Sequence, residues 1–266
     1  MECKIKVPGS CGEIAQGFLN GEPFLITCPV EIFTTVTISD EFEGIIGLDW
    51  KAKKALNLTL NYLRCNELKF GIKLESKLPR GKGMASSSAD IAAVIKAAAL
   101  ALNVNVTAKE IGELAAAVEP TDGVFYDGIN LMNPLTGRVI KQFPPLPEYK
   151  IAVFDFGGTI DTIEFERRSS FQLTELPKTL NFNLMMKSAL ANQEILLKPG
   201  LEAIIDYAEL LGALGLNVAH SGTVIGIWFD EGISARDLIL KSDLIAKEFS
   251  NIKLIALTKL ISGGVK

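Results

Sequence analysis

The sequence predicts an α+β fold built in two lobes, and three observations support that expectation. Residues 4–39 are β-rich and alternating, whereas residues 51–64, 88–102 and 107–118 carry helical signals. The densest proline cluster in the chain, FPPLPE at 143–148, falls near its middle. Beyond it the pattern runs strand, helices, strand, helix, strand, as in an α+β sandwich. At 266 residues, 48% apolar and 22% charged, the chain can build two cores and is not disordered. The lobes are therefore expected over residues 1–147 and 148–266.

Taken in order, residues 4–7 alternate like the start of a strand and run into a Gly- and Ser-rich turn at 8–12. Residues 4–39 together read as several strands of one sheet. A helix over 51–64 and an alternating strand over 68–75 (LKFGIKLE) follow. Residues 79–88 (PRGKGMASSS) form a turn in which Gly81, Gly83 and small Ala85 allow close backbone approach and positive φ. Any of Ser86, Ser87 and Ser88 can cap the helix that continues to residue 102 with almost no polar face. Thr107 and Glu110 spell a capping box for a helix ending near residue 118. An acidic turn, 119–128, leads into a short strand at 129–132. In the second half, 150–156 (KIAVFDF) reads as a buried strand and 183–196 as a helix. Pro199 marks a helix start with Gly212 or Gly215 near its end, and 224–229 (VIGIWF) is a strand. Ser234 caps a helix to residue 249, and 252–257 closes as a strand.

Composition excludes several function classes. A net charge of −4 without any Lys/Arg block argues against nucleic acid as a partner. The four cysteines show no CxxC pairing and there is one histidine, so a Cys/His zinc site is not expected and the thiols should be reduced. The N-terminus lacks the apolar core of a signal peptide, and the longest apolar run, 91–102, is interrupted by Lys96 and too short to span a bilayer. The expectation is a cytoplasmic protein with no membrane partner, monomer or homodimer, acting on a small molecule.

The turn at 79–88 holds the most chemistry. A helix N-terminus with free N–H groups and a positive dipole end binds anions, and Lys82 adds a mobile charge, so the turn suits a polyphosphate. The alternative is an ordinary capped loop before a core helix. The turn is neither a Walker P-loop, lacking GxxxxGK[ST], nor a Rossmann fingerprint.

Residues 79–88 resemble the central motif of the GHMP kinases (galactokinase, homoserine kinase, mevalonate kinase and phosphomevalonate kinase), whose pattern is P-x-x-x-G-L-G-S-S-A. Here Ala85 replaces a usual Gly and Ser88 a usual Ala. Pro8 to Glu13 (PGSCGE) lies where such families carry an N-terminal motif near the substrate. His220-Ser221-Gly222-Thr223 is a looser match to their C-terminal Gly-rich segment. Within the group, residues 8–17, 24–29, 81–87 and 155–162 look most like the L-threonine kinases of cobalamin side-chain synthesis.

The resemblance implies a first lobe like domain 2 of ribosomal protein S5 and a ferredoxin-like second lobe, with ATP and Mg²⁺ as cofactors. ATP phosphates would lie on Gly81, Lys82, Gly83, Met84, Ala85, Ser86, Ser87 and Ser88, with Lys82 also catalytic. By position, Ser87 and Glu119 would hold Mg²⁺, and Asp122 would orient or deprotonate the acceptor hydroxyl. An amino-acid substrate would meet Ser10, Cys11, Gly12, Glu13, Gln16, Ser221, Gly222 and Thr223, with the turn amides on its carboxylate. Other readings stay open at this point. Asp122 is also a natural turn residue before Gly123, Glu13 could be solvated in a strand-to-strand turn, and His220 could simply pack or hydrogen-bond. Homoserine or another small alcohol could be the acceptor, or the chain could bind nucleotide without turnover. Residues 153–159 also look like the D-x-D-G-T loop of haloacid-dehalogenase-type phosphatases, but Gly157 stands where the second aspartate is required. Asp155 and Asp161 instead suggest the mouth of a substrate pocket.

Overall fold

The computed structural model describes residues 2–160 and 170–266. Its first feature is a long antiparallel hairpin, β1 (Glu2–Leu19) and β2 (Glu22–Ser39). The hairpin closes at Asn20 and Gly21, both at positive φ, which is the left-handed pair a two-residue hairpin turn needs. The turn expected at 8–12 is absent: the chain stays in the ladder there. What breaks the alternation is three register shifts, at Pro8/Gly9, Ser10/Glu13 and Glu13/Ala15. Bulges bend a strand and disturb its period of two, so the sequence imitates a turn.

The first half continues through β3 (Ile45–Ile46), α1 (Trp50–Tyr62), β4 (Gly71–Ser76), α2 (Ser86–Ala101), α3 (Ala108–Val118), β5 (Ile129–Met132) and β6 (Val139–Phe143). After the proline-rich segment come β7 (Lys150–Asp155), β8 (Gln172–Leu173), α4 (Phe182–Ala191) with a 3₁₀ turn at Asn192–Glu194, and α5 (Leu201–Leu210). The chain ends with β9 (Gly215–Val218), β10 (Val224–Phe229), α6 (Ala235–Glu248) and β11 (Lys253–Lys259). The expected caps at Thr107 and Ser234 are present, the first as a complete capping box.

One sheet runs through both halves in the order β11-β7-β10-β9-β1-β2-β4-β3, with β5 on β2, β6 on β5 and β8 on the far end of β1. The join is the bulged part of β1, where Glu13 pairs with Val218 of β9. Helix α2 lies between this sheet and α1 and α3, and twelve of its sixteen residues are buried. A helix apolar all round is stable only when enclosed in this way. Its alanines let neighbours approach closely, and burying Ile91, Val94 and Ile95 contributes about 2 kcal/mol each. A second core of Phe154, Ile204, Phe229 and Ile245 sits under α5 and α6. No described helix is long and apolar enough to cross a membrane.

Candidate active site

The turn before α2 owes its shape to three left-handed residues, Gly81 (φ +69°), Gly83 (φ +81°) and Ala85 (φ +53°). A Cβ on Gly83 would come within 2.3 Å of the Ala219 methyl, and one on Gly222 within 2.3 Å of the Lys82 carbonyl oxygen. These two glycines let the turn lie directly on the segment preceding β10. Ala85 adopts the left-handed region with a side chain attached, at a cost of roughly 1–2 kcal/mol. It is also the N-cap of α2, and no side chain caps that helix. The serines do not serve as caps because Ser86 is already helical, which pushes the capping position onto Ala85. The first-turn N–H groups are thus left for a ligand, at the positive end of a sixteen-residue helix.

These residues line a cavity of about 320 Å³. Ser87 Oγ is buried there with no hydrogen-bond partner among the described residues. Ser88 Oγ accepts from the Asp122 N–H at 3.1 Å and donates to Asp122 Oδ2 at 3.2 Å, so the acidic turn is tied to the start of α2. Glu119, at the end of α3, projects into the same cavity, where Lys51 Nζ lies 2.5 Å from its Oε2. Arg80 spans two carboxylates, donating to Asp49 Oδ2 at 3.1 Å and, at 3.4 Å, to Asp90 Oδ2. Burial pushes the Asp90 carboxyl up to about 6, against the hydrogen bond from Thr34 and the charge of Arg80. Thr159, Ile160 and Ser221 close the cavity from the second half.

Glu13 reaches the cavity from the bulge in β1. It is only 5% exposed, and its Oε2 accepts from the His220 backbone N–H at 2.9 Å and from the His220 ring at 3.1 Å. Glu13 is therefore not solvated, and His220 is a buried hydrogen-bonding residue, as one sequence reading allowed.

The donor set fits Mg²⁺. Among the described residues no group of three or more His, Cys, Asp or Glu gathers around one point, so a cage made wholly of protein is absent. Ser87 Oγ, buried and unpartnered, and the Glu119 carboxylate instead supply two hard oxygens facing one cavity. A small cation that keeps waters and shares phosphate oxygens needs no more from the protein.

Comparisons with known proteins identify the family. Residues 51–127 match the GHMP kinases N terminal domain, and residues 172–241 match GHMP kinases C terminal. An L-threonine kinase of Salmonella typhimurium is 30% identical over 97% of this chain and 93% of its own length. The chain belongs to the GHMP kinases. An L-threonine kinase of Citrobacter freundii is 28% identical to this GHMP kinase over 84% of the chain and 85% of its own length. Among solved structures, the mevalonate kinase of Methanococcus jannaschii aligns with a TM-score of 0.68 at 16% identity, covering 98% of this chain and 99% of that one. A homoserine kinase from Cytophaga hutchinsonii gives 0.64 at 18% identity, covering 100% of this chain and 96% of that one. At such identities the two structures establish the fold alone.

The fold gathers some of the sequence-predicted residues and turns others away. Gly81, Gly83, Met84, Ala85, Ser86, Ser87, Ser88, Glu119, Asp122, Glu13 and Ser221 line the cavity of this GHMP kinase. Lys82 does not. Its ammonium is held 2.6 Å from Asp155 Oδ2 and 2.6 Å from the Gly158 carbonyl oxygen, while Thr223 Oγ1 donates to Asp155 Oδ1 at 2.5 Å. Lys82, Asp155 and Thr223 form a bolt between the turn and the second half, which keeps Lys82 and Thr223 out of the cavity lining and leaves neither Asp155 oxygen free. The expected use of the 8–12 amides on a substrate carboxylate is not met either. Ser10 N donates to Met84 O at 3.0 Å and Gly12 N to Gly83 O at 3.1 Å. Ser10 Oγ is closed onto the carbonyls of Gly12 and Cys28, Cys11 is fully buried with its thiol pushed up by burial, and Gly222 packs against the turn. Gln16 lies deeper along β1, beside Ser188 of α4, to which its backbone N–H donates. Asp161 lies outside the described residues. Sequence reasoning missed Lys51, Arg80, Asp49 and Asp90. Only Arg80 sits within a motif, and nothing in the local pattern marks the other three.

Proposed function

We propose that this GHMP kinase transfers the γ-phosphoryl group of ATP to the hydroxyl of L-threonine, giving O-phospho-L-threonine and ADP. The observation that carries the kinase chemistry is the buried, unpartnered Ser87 hydroxyl beside the uncapped N-terminus of α2, in a cavity shared with Glu119 and Asp122. Threonine as acceptor rests on the two L-threonine kinases related over most of the chain. A buried carboxylate at the cavity floor, Glu13, also suits an ammonium group. Residues 1–147 would then form the nucleotide side and 148–266 the half that closes over the acceptor.

In this reading the phosphates lie on the N–H groups of α2 and the preceding turn, where the helix dipole favours negative charge. Ser87 and Glu119 would hold Mg²⁺, which when bound with ATP offsets charge on the phosphate oxygens. Lys51, released from or shared with Glu119, adds a cation beside the same oxygens. The threonine hydroxyl oxygen forms a bond to the γ-phosphorus as the bond from that phosphorus to the ADP oxygen breaks. Asp122 receives the hydroxyl proton, held in orientation by Ser88. Arg80, Asp49 and Asp90 brace the wall of the cavity.

The test is ADP release from Mg·ATP with L-threonine, L-serine, L-homoserine or no acceptor, on wild type and Asp122→Asn. Threonine-dependent release that drops about 10²-fold or more in the variant is the expected result for loss of a general base. Turnover surviving in Asp122→Asn would retain the kinase and remove Asp122 as base. Preference for homoserine would move the acceptor. ATP binding without release for any acceptor would leave a nucleotide sensor.

A further inference from the structure

A buried, hydrogen-bonded polar cluster stands behind Glu13. His220 is 3% exposed and Lys198 2%, and with Ser188 and Asn192 they fill the space between β1, β9 and α4. Lys198 Nζ donates to Asn192 Oδ1 at 3.1 Å and to the Ala219 carbonyl at 2.9 Å, and Asn192 Nδ2 donates to the His220 carbonyl at 3.2 Å. Lys198 therefore sits directly behind the residue that grips Glu13. Desolvation pulls its ammonium down to about 8, and the charge of Glu13 acts in the opposite direction.

The hydrogen bonds determine how the histidine is used. Glu13 Oε2, an acceptor, lies 3.1 Å from His220 Nδ1, so Nδ1 carries a proton. Ser188 Oγ accepts from the Gln16 N–H at 3.0 Å and lies 2.9 Å from His220 Nε2, to which it can donate. The same hydroxyl also donates to the Gln16 carbonyl oxygen at 3.3 Å, so what the bonds establish for His220 is the proton on Nδ1, held against Glu13 Oε2. Both His220 donors fall on the same carboxylate oxygen. Glu13 Oε1 takes no hydrogen bond among the described residues, and Glu13 lines the cavity. A carboxylate anchored through one oxygen, with the other left to the cavity and a buried cation behind it, is built to receive a cation from the front.

We infer that His220 is a positioning residue for the acceptor: through Nδ1 and its own N–H it fixes Glu13 so that Oε1 meets the α-ammonium of the amino-acid substrate. Ser188 holds Nε2 from the other side of the ring, and Lys198 braces the segment behind it through Asn192 and the Ala219 carbonyl. The inference rests on the amino-acid acceptor proposed above and adds what selects it. An acceptor with the same hydroxyl and carboxylate but no ammonium gains nothing from Glu13.

The experiment compares wild type, His220→Leu and His220→Asn on L-threonine and on 3-hydroxybutyrate, which is threonine without its amino group. An asparagine amide can stand where Nδ1 stands; leucine cannot. The expected result is a KM for threonine raised about tenfold or more in His220→Leu, with the KM for ATP within twofold. His220→Asn should recover most of the threonine KM. On 3-hydroxybutyrate, His220→Leu and wild type should be equally poor. Because the chain has one histidine, the imidazole ¹⁵N signals of wild type are assigned without ambiguity and should report protonation at Nδ1 and shift when L-threonine is added. An unchanged threonine KM in His220→Leu, equal losses toward ATP and threonine with no recovery in His220→Asn, or an imidazole protonated at Nε2 alone would each overturn the inference. If wild type used no amino acid at all, the acceptor reading would fall first and this inference with it.

Discussion

Two Gly-rich stretches meet in this molecule, and they use their backbones in opposite ways. The turn at 79–88 keeps its N–H groups for the cavity, because Ala85 starts α2 without a side-chain cap. The bulged stretch of β1 at 9–13 gives its N–H groups away, Ser10 to Met84 and Gly12 to Gly83, and so becomes the seat on which the first stretch rests. From sequence both look like anion loops. The difference is decided by which backbone donors are already spent inside the protein, a matter of tertiary contact that composition does not encode.

Substitutions can break or sharpen that contrast. The largest effect is expected on the cavity side: Glu119→Gln should lower kcat by about 10²-fold or more while the protein stays folded, measured by ADP release beside a thermal melt. On the seat side the loss should be of stability instead. A Cβ at Gly12, held at φ +58°, would lie 2.5 Å from the Val218 carbonyl oxygen. Gly12→Ala should therefore cost about 2–3 kcal/mol, read as a melting temperature lower by roughly 4–12 °C, with the folded fraction still turning over.

Asp90 gives a smaller effect that depends on pH. Its folded carboxyl titrates at about 6 against an ordinary 3.8, so between those values the folded state holds more protons than the unfolded. Stability should fall as pH rises through that window, and the penalty stands in full above it. Asp90→Asn should raise stability by about 1–2 kcal/mol at pH 7, have little effect at pH 4, and flatten the profile between. A denaturant titration at both pH values checks this. The smallest effect is Ala85→Gly, which removes a left-handed side chain. Part of the roughly 1–2 kcal/mol strain should return as stability, with the KM for ATP unchanged; a raised KM would mean that the strain helps shape the phosphate seat.

Much of this was legible in the sequence, in the places where local chemistry decides. The Thr107 and Ser234 caps, the apolar α2 and the strand at Val224–Phe229 follow from patterns a few residues long. So does the motif that lines the cavity. What could not be read depends on partners far along the chain. Lys82 looked like a phosphate ligand because nothing local shows that Asp155, 73 residues later, takes its charge. Arg80 acquires a role only when Asp49, 31 residues earlier, is brought beside it. The three bulges erased the strand signal of β1 where it matters most, since a period of two cannot survive a register shift.

The seat beneath the cavity also has a history during synthesis. Glu13 emerges from the ribosome early, yet His220, which holds it, follows 207 residues later. Until then the second stretch of β1 has an unpaired edge and a carboxylate without its donors. Long-range closure of this kind is slow, and an exposed strand edge invites pairing with other chains. The cavity is therefore among the last parts of the molecule to exist. A nascent chain halted before β9 would display the phosphate motif in full above a Glu13 that nothing yet holds.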